Sequence, residues 1–300
     1  MSRACSISTG QPFTLSRVCR VWGKARSSVY HEISRLSQSG QGDKQRRGPQ
    51  GNYSDTELVG HIRAVIEESP FYAEGYRKVW ARLRFQDIRT SPKRVLRLMR
   101  ENGLLVHQRT SMHPGPKTHD GTIIPDDINE MWGTDMTKAF TRNQGWVSVF
   151  GAVDHFSAEC AGLHAAKRGT RFEALEPIRQ GIKANFGVFA EDVALGLTMR
   201  HDCGSQYTSD DFQDELAFLG IEASPAFVRS PECNGCIERF FRTLKENLLW
   251  VREFEDIEDL NEALQEFKER YNSEWLIARH NYRTPNQVKE QCMASLKEAA

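Results

Sequence analysis

Apolar residues recur at helical spacing through the first third of the chain. The strongest stretch predicts a helix between the capping residue Ser54 and Pro70. Ile62 follows Leu58 by four residues, and Val65 and Ile66 follow Ile62 by three and four. The same spacing predicts a second helix from about Glu74 to Phe85 and a third opened by Ser91-Pro92. Each has one apolar face, so the pattern predicts a small three-helix bundle.

A shorter helical pattern precedes this bundle. Leu15 begins one predicted helix, Gly23 makes a turn, and Ser27 is expected to cap a second helix, which is the outline of a small helix-turn-helix. Two segments without periodicity, Gln38 to Asn52 and His107 to Pro125, are rich in polar residues and Gly or Pro. We expect both segments to be linkers.

The pattern changes to strands after residue 130. Its predicted elements are strands at Met131–Ala139, Trp146–Val153 and Glu159–Ala165, a helix at Arg171–Phe186, a strand at Ala194–His201 and a helix at Ser209–Leu219. This order predicts a mixed α/β layer. Apolar positions from Ile257 to Tyr271 indicate one more helix, whose face we expect to pack against the core.

The composition is that of an ordinary globular chain. Of 300 residues, 39% are hydrophobic and 27% charged, which excludes collagen-like and wholly disordered proteins. Seven scattered cysteines favour reduced thiols over a disulfide framework. The sequence contains no run of about 18 apolar residues and no apolar signal region near Met1. We therefore expect a cytoplasmic protein without a membrane partner.

A net charge of zero conceals two halves of opposite charge. Residues 1–117 contain 21 Lys and Arg against 9 Asp and Glu, whereas residues 118–300 contain 19 against 31. A basic region followed by an acidic one is typical of a nucleic-acid enzyme whose acidic half binds metal ions. On the third predicted helix, Lys93, Arg94 and Arg97 would suit phosphates and guanine edges, although an inert basic face would have the same composition.

Three carboxylates occupy notable positions in the predicted elements. Asp135 lies inside the first strand, Asp202 ends the later strand, and Glu238 opens a helix after Asn234-Gly235. A charged side chain inside a strand is costly unless it is paired or bound to metal. Three carboxylates favour hard cations, so we expect Mg²⁺, with Mn²⁺ able to substitute.

The helix that carries Glu238 has two parallel stripes. Residues Ile237, Phe241, Leu244 and Leu248 form the apolar stripe. Beside it, Glu238, Arg242 and Lys245 form a charged stripe, which could present a metal ligand together with cations for DNA phosphates. A simple ion pair between Glu238 and Arg242, contributing ~0.3–0.5 kcal/mol, is the plainer alternative.

The spacing and the surrounding residues resemble a known family. Thirty-five residues separate Asp202 from Glu238, as in the Asp-Asp-Glu triads of transposases and retroviral integrases. The matching segments are Trp132-Gly133-Thr134-Asp135, Asp202 to Ser209, and Ser230-Pro231 leading to Asn234-Gly235 and Glu238. They resemble the second-reading-frame transposases of the insertion-sequence-three family. Gly75 to Val79, Tyr271-Asn272 and Tyr282 to Pro285 extend the resemblance over almost the whole chain, although Trp275-Leu276-Ile277 departs from it.

The resemblance implies a fold, a reaction and a set of residues. The fold would be a ribonuclease-H-like mixed-sheet core, of class α/β, preceded by small all-α helix-turn-helix modules. Asp135, Asp202 and Glu238 would be the catalytic metal ligands, working with two metal ions and no nucleotide cofactor. Lys245 and Arg242 would hold DNA near the reacting phosphate. Arg77 and Lys78 fall in the family's helix-turn-helix and would contact DNA with the basic third helix.

Partners and domains are expected from the same resemblance. Double-stranded DNA, as element terminal repeats and as target, would be the substrate of a homo-oligomer assembled on it. A fusion to the upstream-frame product, or a complex with it, is a further expectation. The predicted segments are 1–48 for a helix-turn-helix and basic linker, 49–107 for the three-helix DNA-binding domain, 108–128 for a linker, 129–250 for the catalytic core and 251–300 for a helical extension.

Three other interpretations remain open at this point. Asp154 could replace Asp135 as a ligand, but its Asp-His-Phe-Ser setting is typical of a hairpin turn. His201, Cys203, Cys233 and Cys236 could bind zinc, as in a nucleobase deaminase, but the deaminase Glu is missing two residues after His201. A regulator that binds DNA without cutting it would explain the helices and the charge asymmetry.

Overall fold

A computed structural model describes residues 5–37, 52–72, 74–106, 125–225 and 234–299. The chain divides into two compact units, Met1–Gln50 and Gly51–Ala300. Apart from their last residues, the two predicted linkers at 38–52 and 107–125 lie outside the described residues. No helix in the described ranges is both long enough and apolar enough to cross a membrane.

The first unit contains the predicted helical pair. Helix α1 spans Leu15–Val21 and α2 spans Arg26–Ser37. Gly23, with φ of 59°, makes the turn between them, in the left-handed region that glycine tolerates best. The predicted cap at Ser27 is wrong, because the helix already begins at Arg26 and Ser27 therefore lies in its first turn.

Three helices open the second unit, as the pattern predicted: α3 at Asp55–Glu68, α4 at Tyr76–Phe85 and α5 at Pro92–Glu101. Ser54 forms a capping box, since its hydroxyl accepts from the Glu57 N–H at 3.2 Å while the Glu57 carboxylate accepts from the Ser54 N–H at 2.7 Å. Buried side chains from all three helices form one core: Leu58, Ile62, Val65, Val79, Leu83, Val95, Leu98 and Met99. Helix α4 begins two residues later than predicted, because Gly75 is extended and acts as its N-cap.

The described part of the second unit contains a five-stranded sheet in the order β3-β2-β1-β4-β5. Its strands are β1 at Met131–Thr141, β2 at Gly145–Asp154, β3 at Cys160–Ala166, β4 at Thr198–His201 and β5 at Glu222–Pro225. The pairs β1–β2 and β2–β3 are antiparallel, whereas β4 is parallel to both β1 and β5. The sheet is therefore mixed, as predicted.

Helices cover both faces of this sheet. Helices α6 at Arg171–Phe186 and α7 at Asp210–Phe218 pack on one face, against β1 and β2 side chains such as Trp132 and Phe150. Helices α8 at Gly235–Leu244 and α9 at Ile257–Glu274 pack on the other face, against Val147 and Val149. The chain ends with α10 at Pro285–Ala299. Successive strand residues thus alternate between two helical layers, which confirms the α/β class.

The edge strand β3 is covered by side-chain amides. The Asn272 amide accepts from the Cys160 N–H at 2.8 Å and donates to the Cys160 carbonyl at 2.9 Å. Asn261 pairs with both backbone groups of Ala165 in the same way. Because an open strand edge invites pairing with another chain, these contacts protect the sheet where it ends.

Candidate active site

The register of β1 and β4 brings two of the predicted carboxylates together. Met131 pairs with Thr198 and Gly133 pairs with Arg200, in parallel. If this register is continued by two residues, Asp135 stands beside Asp202, where neighbouring strands are about 4.8 Å apart. Asp202 follows the last residue of β4 and is exposed, while Asp135 is partly buried inside β1.

Helix α8 crosses the sheet on the face that carries Asp135. Alternation along β1 puts Gly133, Asp135 and Ala139 on one face, and Ala139 belongs to the core formed with α8 and α9. The N-cap residue of α8, Asn234, lies against Gly133. Glu238 follows one turn later on the solvent side of the helix. The predicted apolar stripe is confirmed, since Ile237, Phe241, Leu244 and Leu248 are buried.

Burial and like charges act together on Asp135. Loss of solvent, together with the nearby Asp202 and Glu238 charges, raises the pKa of the Asp135 carboxyl to about 6. The Met136 N–H, which donates to Asp135 Oδ1 at 2.7 Å, and the Lys245 ammonium both lower this pKa. Partial loss of solvent around the Glu238 carboxyl, which is otherwise exposed, also raises its pKa. All three carboxylates and Lys245 therefore contribute to one local field.

The donor set fits a hard divalent cation. Three carboxylates whose mutual repulsion raises a pKa form an anionic site, and such oxygen ligands are those that Mg²⁺ and Mn²⁺ prefer. In the described ranges, however, no three His, Cys, Asp or Glu side chains converge closely enough to hold a metal ion. The side chains as placed would have to turn toward one another to share a cation.

The two cations predicted on α8 have different surroundings. Lys245, which is partly buried, begins a π-helical segment at Lys245–Leu249 that continues α8. Such segments are frequent at functional sites. Arg242 is exposed and pairs with Glu246 at 2.9 Å, rather than with Glu238 as the plainer alternative required.

Asp154 has a structural role, as its sequence setting predicted. Its carboxylate is buried and accepts from the Asn129 N–H at 2.9 Å and from the Ser157 N–H and hydroxyl at 2.6 and 2.7 Å. These bonds close the turn between β2 and β3. With its acceptor sites occupied by protein donors, Asp154 is not available as a metal ligand.

The basic residues predicted to contact DNA differ in exposure. Arg94 and Arg97 both pair with Asp55, at 2.7 Å each, so they join α5 to the start of α3. Arg77 and Lys93 are exposed. These two side chains are the most accessible members of the predicted set within the helical bundle.

Lys78 is largely covered by the C-terminal part of the core. Its ammonium lies over the Trp275 ring and is 3.8 Å from the Glu74 carboxylate. Burial lowers the pKa of Lys78 to about 6. Trp275, which departs from the family pattern, also packs edge-on against Phe71. In this arrangement Lys78 contributes to the contact between the helical bundle and the core.

The residues considered for zinc do not form a cluster where they are described. His201 Nδ1 donates to the Asp202 carbonyl at 2.7 Å, while the Cys236 thiol is buried 3.9 Å from the Asp154 carbonyl. Cys233 lies outside the described residues. The His201 and Cys236 side chains are therefore directed at different backbone groups, and Cys203 is exposed.

Sequence reasoning missed Asn234 as a residue of the site. The Asn-Gly pair predicted only that a loop ends there, and Asn is a common helix cap. The Asn234 side chain makes no cap bond and instead donates to the Thr134 carbonyl, beside Asp135, at 3.1 Å. A cap residue bonded across to another element leaves no signal in local sequence.

Comparisons with known proteins agree with this architecture. Residues 54–111 match the model of an HTH-like domain, and residues 125–231 and 219–285 match two models of the integrase core domain. The chain thus has the integrase type of ribonuclease-H-like fold, as predicted. The InsD transposase of Escherichia coli insertion element IS2 is 30% identical over 244 residues, which are 79% of this chain and 79% of InsD. The chain belongs to the family of insertion-element transposases that includes InsD, which confirms the resemblance to the insertion-sequence-three family.

Retroviral integrases are among the similar solved structures. The HTLV-2 integrase catalytic core domain in complex with magnesium is 19% identical and covers 56% of this chain and 99% of its own, with a TM-score of 0.41. The simian T-cell lymphotropic virus intasome in complex with PP2A regulatory subunit B56 gamma is 18% identical over 79% of this chain and 74% of its own, with a TM-score of 0.43.

Proposed function

We propose that this transposase binds the ends of its insertion element, cleaves one DNA strand at each end and joins the freed end to target DNA. The supporting observation is the electrostatic coupling of Asp135 to Asp202, Glu238 and Lys245. Carboxylates whose pKa values are perturbed by burial and by one another are typical of catalytic sites. The non-catalytic regulator and the zinc deaminase are not favoured, because a regulator or a deaminase would not explain the match to a transposase over most of the chain.

Asp135, Asp202 and Glu238 would hold Mg²⁺, with Mn²⁺ able to substitute. When bound, such ions activate the attacking oxygen and neutralise the charge on the leaving oxygen. The three carboxylates supply the anionic ligands, for which Asp135 must lose its proton. Lys245 would bind a phosphate oxygen of the DNA strand that lies beside Asp135. Arg242, at another position on α8, would contact a different phosphate of the DNA backbone.

The chemistry would proceed by two direct exchanges at phosphorus. In the first, a water oxygen attacks phosphorus and the bond to the 3′-oxygen breaks, which leaves a 3′-hydroxyl and a 5′-phosphate. In the second, that 3′-hydroxyl attacks a target phosphodiester, whose own 3′-oxygen leaves. The first step is a hydrolysis that consumes only water, and in the second step one phosphodiester is formed as another is broken, so no nucleotide cofactor is needed.

The helical bundle would recognise the element ends. Exposed Arg77 and Lys93 are the side chains best placed to contact phosphates, and segment 49–107 remains the proposed DNA-binding domain. The proposal also keeps the other predicted segment bounds. In addition, the protein would assemble as a homo-oligomer on DNA and would act in the bacterial cytoplasm. It would be fused to an upstream-frame product or would form a complex with it.

The proposal is tested with labelled DNA that carries the element's own ends, incubated with the full chain and Mg²⁺. Nicked and joined products are expected from the wild-type protein. Asp135→Asn, Asp202→Asn and Glu238→Gln should each abolish both products while end binding persists. Asp214→Asn, an exposed position of α7, serves as the matched control. A triple variant that still nicks DNA would disprove the assignment.

A further inference from the structure

We propose that Asn234 is a positioning residue that sets the distance between Glu238 and Asp135. The inference rests on the proposed function, because it assumes that these two carboxylates share a metal site. It assigns a role to a buried side chain that is not one of the three proposed metal ligands. Its basis is a single side-chain bond between α8 and β1.

The Asn234 amide joins the helix to the strand. Asn234 is 7% exposed, and its Nδ2 donates to the Thr134 carbonyl at 3.1 Å. Thr134 directly precedes Asp135 and lies one residue beyond the last β1–β4 backbone pair, at Gly133 and Arg200. The bond therefore holds β1 at the point where the support of β4 ends.

The same amide lies one helical turn before Glu238. Residues four apart share a side of a helix, so fixing Asn234 fixes the start of the turn that carries Glu238. No ion pair of Glu238 is present among the described residues, and burial is the cause of its raised pKa. The position of Glu238 is thus determined by the backbone of α8, and the start of that backbone is held by Asn234.

Gly133 provides the space for this contact. A Cβ on Gly133 would lie 2.6 Å from Asn234 Oδ1 and 2.6 Å from His155 Nε2, so these side chains would have to move to make room for it. Glycine at this position thus leaves the space in which the amide reaches the strand. Asn234 also makes no cap bond to its own helix, although Asn is among the best capping residues. Its Nδ2 donor is directed to β1 instead, while its buried Oδ1 has no hydrogen-bond partner among the described residues.

The test compares Asn234→Ala and Asn234→Asp with the wild-type chain. Alanine removes the amide, and aspartate keeps its size but replaces the donor with an acceptor. Asn185→Ala is the matched control, because Asn185 Nδ2 also donates to a carbonyl at 3.1 Å, on α6 at the opposite face of the sheet. Three quantities are measured: Mn²⁺ affinity by calorimetry, the Mg²⁺ dependence of strand cleavage, and the melting temperature.

Loss of this support is expected to weaken Mn²⁺ binding and cleavage by about 10- to 100-fold, as for other residues that orient metal ligands. End binding should stay within about twofold, because the Asn234 side chain is buried. The melting temperature should fall no further than in Asn185→Ala. Wild-type Mn²⁺ affinity in both Asn234 variants would overturn the inference, and so would losses that Asn185→Ala reproduces.

Glu238→Gln, measured in parallel, separates the two claims. If Glu238→Gln binds Mn²⁺ and cleaves like the wild type, the proposed function fails and this inference fails with it. If Glu238→Gln loses both activities while the Asn234 variants keep them, only the positioning role is wrong. Gly133→Ala disrupts the contact between Asn234 and β1 from the strand side. Its Mn²⁺ affinity should therefore fall as in Asn234→Ala.

Discussion

The side-chain amide of Asn272 makes the two hydrogen bonds to the Cys160 backbone that a neighbouring strand would otherwise make. It accepts from the backbone N–H of Cys160 at 2.8 Å and donates to the carbonyl of the same residue at 2.9 Å. Cys160 begins the edge strand β3, and Asn272 lies near the end of α9. A residue of the Tyr271-Asn272 pair that resembles the transposase family thus closes the sheet edge at β3.

Asn272→Ala should lower the free energy of unfolding by about 1–3 kcal/mol, because it leaves two buried backbone groups of Cys160 unpaired. Denaturant titration measures the change. Asn286→Ala, at an exposed position of α10, should leave the unfolding midpoint unchanged. An unfolding midpoint for Asn272→Ala equal to that of this control would show that the edge contact contributes no stability.

Asp135→Asn should raise stability at neutral pH in the absence of divalent metal. The folded-state pKa of Asp135, about 6, exceeds its ordinary value of 3.8, so folding takes up a proton between these values. The contribution of Asp135 to the free energy of unfolding therefore falls as pH rises from about 4 to about 6. Melting temperatures in EDTA should favour the variant at pH 7 and converge near pH 4. A wild-type protein more stable than Asp135→Asn at pH 7 would contradict this.

Lys78→Met is expected to stabilise the contact between the bundle and the core at neutral pH. The pKa of Lys78 falls to about 6 from 10.5, so folding releases a proton between those values. The contribution of Lys78 to stability accordingly rises as pH rises through that range. Methionine removes the free-energy cost of burying the amine. The gain in melting temperature should be largest near pH 6 and should shrink toward pH 10. Lys93→Met, at an exposed position, should show no such trend. Destabilisation by Lys78→Met at pH 7 would exclude this account.

Substitutions of basic residues in the bundle should separate DNA contact from structural support. Lys93→Ala and Arg77→Ala should each reduce the slope of log affinity against log salt by about 0.9, because each neutralises one phosphate. Neither should change the melting temperature. Arg94→Ala should lower the melting temperature, because Arg94 pairs with Asp55 and donates to the Tyr53 carbonyl at 2.8 Å. If the salt slope is unchanged in both Lys93→Ala and Arg77→Ala, another part of the protein recognises the element ends.

Long periodic elements were predictable because their signals are local. Helix α6 has the predicted bounds, with an extended N-cap at Thr170 and Gly187 at φ of 84° after its end. Strand β5 was not predicted, because its four residues show no alternation and its pairing with β4 is a tertiary contact. The predicted strand at Ala194–His201 is shorter in the structure, since Gly196 turns the chain at φ of 93° before Thr198.

The candidate site was predictable in its residues but not in its arrangement. Periodicity alone identified the apolar and charged stripes of α8. The position of Asp135 beside Asp202 depends on the pairing of two strands 67 residues apart, which local pattern does not specify. The pairing of Arg94 and Arg97 with Asp55 could not be predicted either, because Asp55 lies about 40 residues earlier and local pattern does not specify such distant contacts.

Cleavage of the protein by bound iron tests most directly whether the three carboxylates share a cation. Fe²⁺ replaces Mg²⁺ at oxygen-rich sites, and with ascorbate and peroxide it generates radicals that cut the backbone beside the ion. We predict cuts near residues 135, 202 and 238 together, suppressed by excess Mg²⁺ and absent in Asp135→Asn. Cuts confined to one of these positions, or cuts that Mg²⁺ does not suppress, would contradict a shared metal site.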